Sequence, residues 1–310
     1  MSEMKYLFGP VPSRRLGRSL GISPIPKKTC NYSCVYCQLG RTNRMTNERK
    51  EYFSLEDILF EFDEHYKDES LYDVITIVGE GEPTLYSRLG DLILELKKRT
   101  KKPIVVITNG ALMSDDKVRA ELLNADIVMP SLDGYNELAF KKIDRPYGKI
   151  KFNDVYDGLV TFSKQYKGRG ELYLEIMLME GINDDNDSLM EYKKLLEGIE
   201  YDRVYINTPV RPPAEGNIRA CSHETIQKAV EILGGISIDA LSSEGFFSEE
   251  EDDYEAVLSI IGRHPMNQFE VVSFLESRQN ENPNKVLEKL KKDSKVEEKE
   301  YKGYFTYRLK

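Results

Sequence analysis

The chain of 310 residues has no tryptophan, three histidines and four cysteines. Each scarcity excludes something. Four cysteines are too few for a disulfide framework to replace a packed core. Three scattered histidines, at positions 65, 223 and 264, suggest no histidine-built metal site. No apolar run reaches the roughly 18 residues of a membrane span, and the opening MSEMKYLFGP lacks the apolar stretch of a secretory signal. The expectation is a cytoplasmic protein with reduced thiols and no membrane partner. A net charge of −9 argues against coating nucleic acid or an anionic bilayer by bulk electrostatics. A local basic patch remains compatible with it.

What the chain has is alternation. Short apolar runs at 74–79, 103–108, 125–132, 172–178 and 202–207 are separated by amphipathic segments such as 87–99 and 114–123. Ser114 and Ser222 read as helix N-caps. With 16–23 as a first strand, this predicts about six βαβ units with a parallel sheet. The fold class expected is α/β: a partial (β/α)6 TIM-like barrel over residues 1–245, with function at the C-terminal strand ends. After an acidic, glycine-containing linker at 242–252, the segments 253–263, 267–277 and 282–293 read as three helices. Segments 295–301 and 304–309 read as a hairpin turning at Lys302-Gly303. That is the layout of a winged helix, over residues 251–310.

Three of the four cysteines, Cys30, Cys34 and Cys37, fall within KTCNYSCVYCQLGRT at 28–42. Three readings compete for them. Incidental reduced thiols are one. Zinc is a second, but it needs a fourth ligand, and the nearest histidine, His65, is far along the chain. An iron–sulfur cube is the third: three thiolates from one loop leave its fourth iron open to a small ligand.

The spacing C-x3-C-x2-C, with Tyr36 before the last cysteine, resembles the cluster loop of the radical S-adenosylmethionine (SAM) superfamily. That resemblance implies a [4Fe–4S] cluster on Cys30, Cys34 and Cys37. It implies SAM chelated at the open iron and cleaved reductively to a 5′-deoxyadenosyl radical. It also implies that Gly79, Glu80, Gly81, Glu82 and Pro83 form the loop that holds the SAM amino group. Thr108, Asn109, Ser131 and Asp133 lie near its methionine and ribose, and Tyr36 and Asn183 near the adenosyl group. Capping or turn roles are the competing readings for Thr108, Asn109, Ser131, Asp133 and Asn183.

Segment 8–28 carries Arg14, Arg15, Arg18, Lys27 and Lys28, and 207–216 carries Arg211 after the last strand. Solvated surface is the ordinary reading of such arginines. Their position at the barrel mouth suggests substrate phosphates or carboxylates instead. Together with 40–42 and 142–148, these segments resemble a subgroup related to wyosine-base synthases, which act on transfer RNA. No cysteine precedes Cys30, so the second cluster of those enzymes has no ligands here.

The expected function is radical SAM modification of an RNA base, in tRNA, with a flavodoxin or ferredoxin as electron donor. The alternatives are a maturase of a peptide or protein gripped by the winged helix, and a non-enzymatic iron–sulfur DNA-binding sensor. Residues 251–310 hold eleven Lys and Arg against twelve Asp and Glu, with Lys285, Lys289, Lys291 and Lys292 concentrated on the third helix. Tyr301, Tyr304, Phe305 and Tyr307 on the hairpin are candidates for stacking on bases. Cys221 reads as a small buried hydrophobe, with a hydrogen-atom donor or covalent acceptor as the other reading.

Overall fold

The computed structural model describes residues 4–238, 246, 248, 250–301 and 304–310. The linker reading at 242–252 falls largely outside the described residues, as does the turn at Lys302-Gly303.

The main sheet contains β1 (Leu7–Ser13), β2 (Gly17–Ile22), β5 (Val74–Ile77), β6 (Ile104–Thr108), β7 (Ile127–Pro130), β8 (Glu171–Met177), β9 (Arg203–Asn207) and β10 (Ile236–Ser237). They neighbour one another in that order. The two-residue strands β3 (Thr29–Cys30) and β4 (Arg44–Met45) pair in parallel apart from it. Every step from β2 to β10 is parallel, and only β1 runs antiparallel to its neighbour. The sheet is thus a mixed α/β layer with six full parallel strands, β1 closing one margin. Strand β1 was not expected, because its LFGPVPS sequence carries a glycine and two prolines. An edge position accommodates them, since an edge strand needs only half its backbone donors.

Period-two alternation assigns the two faces. Ile75, Ile77, Val106, Leu174, Ile176 and Ile206 point outward into the large core beneath the surrounding helices. Val74, Val105, Met129, Tyr173 and Tyr205 point inward and form a separate apolar plug. Further along the same strands the inward positions become polar: Thr76, Glu175 and Asn207 face a cavity above that plug. The helices are ended by local capping. Ser222 accepts from Thr225 N, as expected. Helix Asp116–Leu122 is capped by Asp115, not Ser114, because the Asp115 carboxylate reaches Lys117 N.

Helices Asp253–Ile261, Gln268–Ser277 and Pro283–Lys292 pack on a three-stranded antiparallel sheet, in the order β11 (Met266–Asn267), β13 (Tyr304–Leu309), β12 (Val296–Tyr301). Phe274, Leu275, Leu290 and Tyr307 anchor its own hydrophobic core. No helix among the described residues is long and apolar enough to cross a membrane. Replacing Ile176, fully buried in the large core, with alanine is expected to cost about 2–5 kcal/mol. Urea unfolding measures this, and a loss under about 1 kcal/mol would contradict the packing.

Candidate active site

The cysteine loop leaves β3 and is held from both sides. Cys37 N donates to Cys34 O, and Gly40 N to Cys37 O, so the last two cysteines lie on consecutive tight turns. Ser33 N donates to Asp144 O and Val35 N to Ile143 O, docking the loop on the 142–148 segment. Glu215 binds Arg41 at 2.8 Å and Arg145 at 2.5 Å, and its N–H donates to Val35 O. Segments 40–42, 142–148 and 207–216, separate in sequence, therefore converge on one carboxylate beside the cysteines. The two guanidiniums hold Glu215 down at about 2.

The glycine-rich turn after β5 is stitched to the same loop. Lys28 N donates to Glu80 O at 2.5 Å, and Glu82 N to Thr29 O at 3.1 Å. A Cβ on Gly81 would lie 1.7 Å from Thr29 O, so only glycine permits this approach. Glu82 is 1% exposed and its carboxylate points away from the cavity. It accepts from Thr84 N, Thr84 Oγ1 and Thr108 Oγ1 through one oxygen, and from Asn109 N through the other. Burial pushes its pKa up against these four bonds, which favour the charged form. Pro83 opens the short turn that follows. Glu82 and Thr108 thus brace the turn instead of facing a ligand. Asn109 Nδ2 donates to Asn31 Oδ1 at 2.7 Å and reaches Cys30 Sγ at 3.6 Å.

Two expected adenosyl contacts are occupied by the protein itself. Asp133 accepts from Met177 N through Oδ1 and from the Tyr36 hydroxyl through Oδ2, so it holds Tyr36 in the cysteine loop. Each oxygen already accepts one bond within the protein, and Asp133 also borders the small recess that Ser131 lines. Asn183 is fully buried: Oδ1 accepts from Met179 N, and Nδ2 donates to Met177 O and to the Tyr192 hydroxyl. It is a turn brace, the competing reading of that residue. Ser131 and Asn109 line a small recess beside Tyr32, whose buried hydroxyl has no partner.

A cavity of about 430 Å³ runs from the cysteine loop into the barrel. Cys30, Cys34, Cys37, Tyr36, Gly79, Glu80, Gly81, Arg14, Arg15 and Arg211 all line it. Arg15 reaches inward to pair with Glu175, whose other oxygen accepts from Asn207 Nδ2 at 3.0 Å. Burial pulls Arg15 down to about 10. Arg18 does not join them. It lies at the start of β2 and pairs with Asp73 at 2.9 Å, because alternation along the strand turns Ser19 and Gly21 to the cavity and Arg18 to the other face. Arg211 is bound by Glu270 at 3.0 Å.

Sequence reasoning missed Glu175, Asn207, Arg263 and His264. The first two carried a signal, as polar positions in otherwise apolar strands. The last two lie in the C-terminal unit and reach the cavity only through tertiary packing. Tyr301 and Tyr304, read as stacking residues, direct their hydroxyls to Pro209 O and Val210 O. Lys289 lies over the Tyr254 ring, and Lys291 pairs with Glu298 at 3.4 Å. Half of the expected basic helix is therefore engaged locally. Cys221 is buried, as read.

The donor set can be tested against a metal. Burial and the neighbouring Glu82 push Cys30 up to about 12, and burial raises Cys34 and Cys37 as well. Such thiols ionise when a cation arrives beside them, with release of protons. Among the described residues, no three His, Cys, Asp or Glu side chains converge as ligands of a single ion. Thiolates on one tetrahedral zinc lie about 4 Å apart, given a Zn–S length of about 2.3 Å. A cube spreads its thiolates over separate irons. Three free cysteines around a shared cavity fit the cube.

The chain belongs to the radical SAM superfamily, whose family model matches residues 25–192. Along nearly its whole length it is similar to a UPF0026 protein of Methanocaldococcus jannaschii, 36% identical over 314 residues, covering 98% of this chain and 96% of that one. It is also 36% identical over 313 residues to the GTPase Obg of Brachyspira hyodysenteriae, covering 98% of this chain. It spans only 45% of that relative's length. Among solved structures it shares its fold with TYW1 bearing a lysine–pyruvate adduct, at 16% identity and TM-score 0.52, covering 71% of this chain and 74% of that one. It is likewise similar to anSMEcpe with bound AdoMet, at 19% identity and TM-score 0.51, covering 70% and 57%. The chain is thus an enzyme of a superfamily that uses a [4Fe–4S] cluster and SAM.

Alanine at Cys30, Cys34 or Cys37 is expected to abolish retention of the roughly four irons taken up on anaerobic reconstitution. Alanine at Cys221 is expected to leave it intact, and iron analysis with visible absorption checks both. Glu215 supplies a pH test. Its pKa is depressed from 4.5 to about 2. The stabilisation is full above 4.5 and is lost as pH falls towards 2. Glu215→Gln should flatten the pH dependence of stability in that window, measured by urea unfolding.

Proposed function

We propose that Cys30, Cys34 and Cys37 hold a [4Fe–4S] cluster and that the enzyme modifies an RNA base, in tRNA. The observation that carries the radical chemistry is the presence of all three thiols, with the glycine turn, in the lining of one cavity. Bound there, a cluster reduced by an external electron donor would supply the electron that cleaves SAM to methionine and a 5′-deoxyadenosyl radical. The chain's own residues position and insulate. Tyr32 N donates to Cys30 Sγ at 3.4 Å and Asn109 approaches the same sulfur, which stabilises its thiolate. Gly79, Glu80 and Gly81 would hold the SAM amino group, Ser131 would lie near its methionine and ribose, and Tyr36 near its adenine. Glu175, Asn207 and Arg15 meet the substrate further in.

For the substrate, we infer a single extruded base, the part of an RNA that a cavity of this size accepts. We read residues 1–245 as the catalytic domain and 251–310 as a winged helix. The separate hydrophobic cores, and three helices on a three-stranded sheet, support that reading. Lys285 and Lys292 remain as outward candidates for phosphates. An electron donor such as a flavodoxin or ferredoxin would reach the cluster from the cysteine-loop side. Four unpaired cysteines suit a reducing cytoplasm. One observation favours a peptide or protein substrate instead: the tail's charges nearly balance, and two of its helix lysines are engaged.

The test is 5′-deoxyadenosine release by the anaerobically reconstituted chain, given SAM and a strong reductant, with and without small RNA from its host. Release stimulated by RNA, and lost on ribonuclease treatment, is the expected result. Slow release indifferent to RNA would move the substrate to peptides. No release despite a full cluster would favour the DNA-binding sensor.

A further inference from the structure

The C-terminal unit makes contacts that packing alone does not require. Arg263 donates to the carbonyls of Met4, Lys5 and Leu7, lies over the Phe8 ring and approaches Glu80 of the glycine turn at 3.7 Å. Lys27 Nζ donates to Gly262 O at 2.6 Å. Arg308 donates to Gln38 O in the cysteine loop at 2.9 Å. Tyr301 and Tyr304 bond the loop after β9, and Glu270 binds Arg211 in the same loop. The unit is therefore tied to the cysteine loop, to the glycine turn and to the loop after β9, all at the cavity mouth.

Between these ties the turn Gly262–His264 places Arg263 and His264 in the cavity lining. Arg211 approaches His264 Nε2 at 3.4 Å. A guanidinium only donates, so Nε2 accepts and the imidazole proton sits on Nδ1. That Nδ1 is shielded from solvent and has no partner of good hydrogen-bond geometry, apart from a weak approach to the backbone of its own residue. Burial and the adjacent Arg211 hold the ring neutral, its pKa well below the ordinary histidine range. A shielded donor without a good acceptor is costly unless something else in the cavity accepts it.

We propose that the C-terminal unit is the lid of the substrate cavity and that His264 is the hydrogen-bond donor it delivers to the substrate, facing a carbonyl, carboxylate or phosphate oxygen. A macromolecular substrate then enters by lifting the unit from its ties. Only the role towards substrate rests on the cavity being the substrate site; the closure does not.

The experiment is carbethoxylation of the full chain without cluster or SAM, read by peptide mass spectrometry. His223, exposed at the start of helix His223–Leu233, is the internal standard. His264 should react about tenfold or more slowly than His223, reflecting a lid that opens rarely. Arg263→Ala should bring the two rates within about threefold, with the cooperative thermal transition retained. Should that variant fail to fold, Tyr301→Phe, which deletes one hydroxyl tie, should still accelerate His264 measurably. Equal rates for His264 and His223 in the unaltered chain would overturn the proposal. So would a His264 rate that neither variant changes. Because no SAM is present, failure of the RNA reading would leave this result standing.

Discussion

The site depends on one buried carboxylate. Glu82 lies 1% exposed with four donors around it, drawn from its own turn and from the end of β6. Removing it would strand those donors in a buried region, at about 1–3 kcal/mol each. Its N–H meanwhile donates to Thr29 O, immediately before Cys30. The glycine turn, the first cysteine and the end of β6 are therefore one mechanical unit. Gly81 makes this possible, because any side chain there would strike Thr29 O.

A second brace works from the other side of the cysteine loop. Asp133 fixes Tyr36, Asp144 lies 3.6 Å from the Cys34 sulfur, and Glu215 gathers Arg41 and Arg145. Burial raises both aspartates, and the charge of Asp133 raises Asp144 further. Carboxyls and thiols crowded and buried like this resist ionising, and the thiols give up their protons when a cationic group arrives beside them. The residues expected to touch SAM divide accordingly. Glycines and cysteines face the cavity, whereas Glu82, Thr108, Asp133 and Asn183 hold the backbone that faces it.

Much of this was legible in advance. The six parallel strands followed from short apolar runs alternating with amphipathic segments, since a sheet covered on both faces needs continuous apolar strands. The three C-terminal helices and the hairpin strands also appear where periodicity placed them. The cysteine spacing pointed to a cluster with an open iron. Less legible was the direction of polar side chains at strand ends. Asn183 and Asp133 have the residue type of a ligand contact, yet short side chains after a strand reach protein groups as easily as a ligand, local backbone for Asn183 and Met177 N with the Tyr36 hydroxyl for Asp133. Arg18 was misplaced because the alternation of side chains along β2, not sequence proximity to Cys30, decides which residues face the cavity.

The sequence by itself determined the chemistry available: three thiols at cluster spacing, a glycine that alone permits loop contact, and strand periodicity that fixes which residues face inward. These are local properties, set by covalent spacing and backbone sterics. Tertiary structure alone decided which charges meet. Arg15 with Glu175, Arg211 with Glu270, Arg263 with Glu80, and Glu215 with both its arginines are pairs from distant segments. Their formation depends on how two separately cored units come together at the cavity mouth. That docking turns His264, an isolated histidine in sequence, into part of the cavity wall.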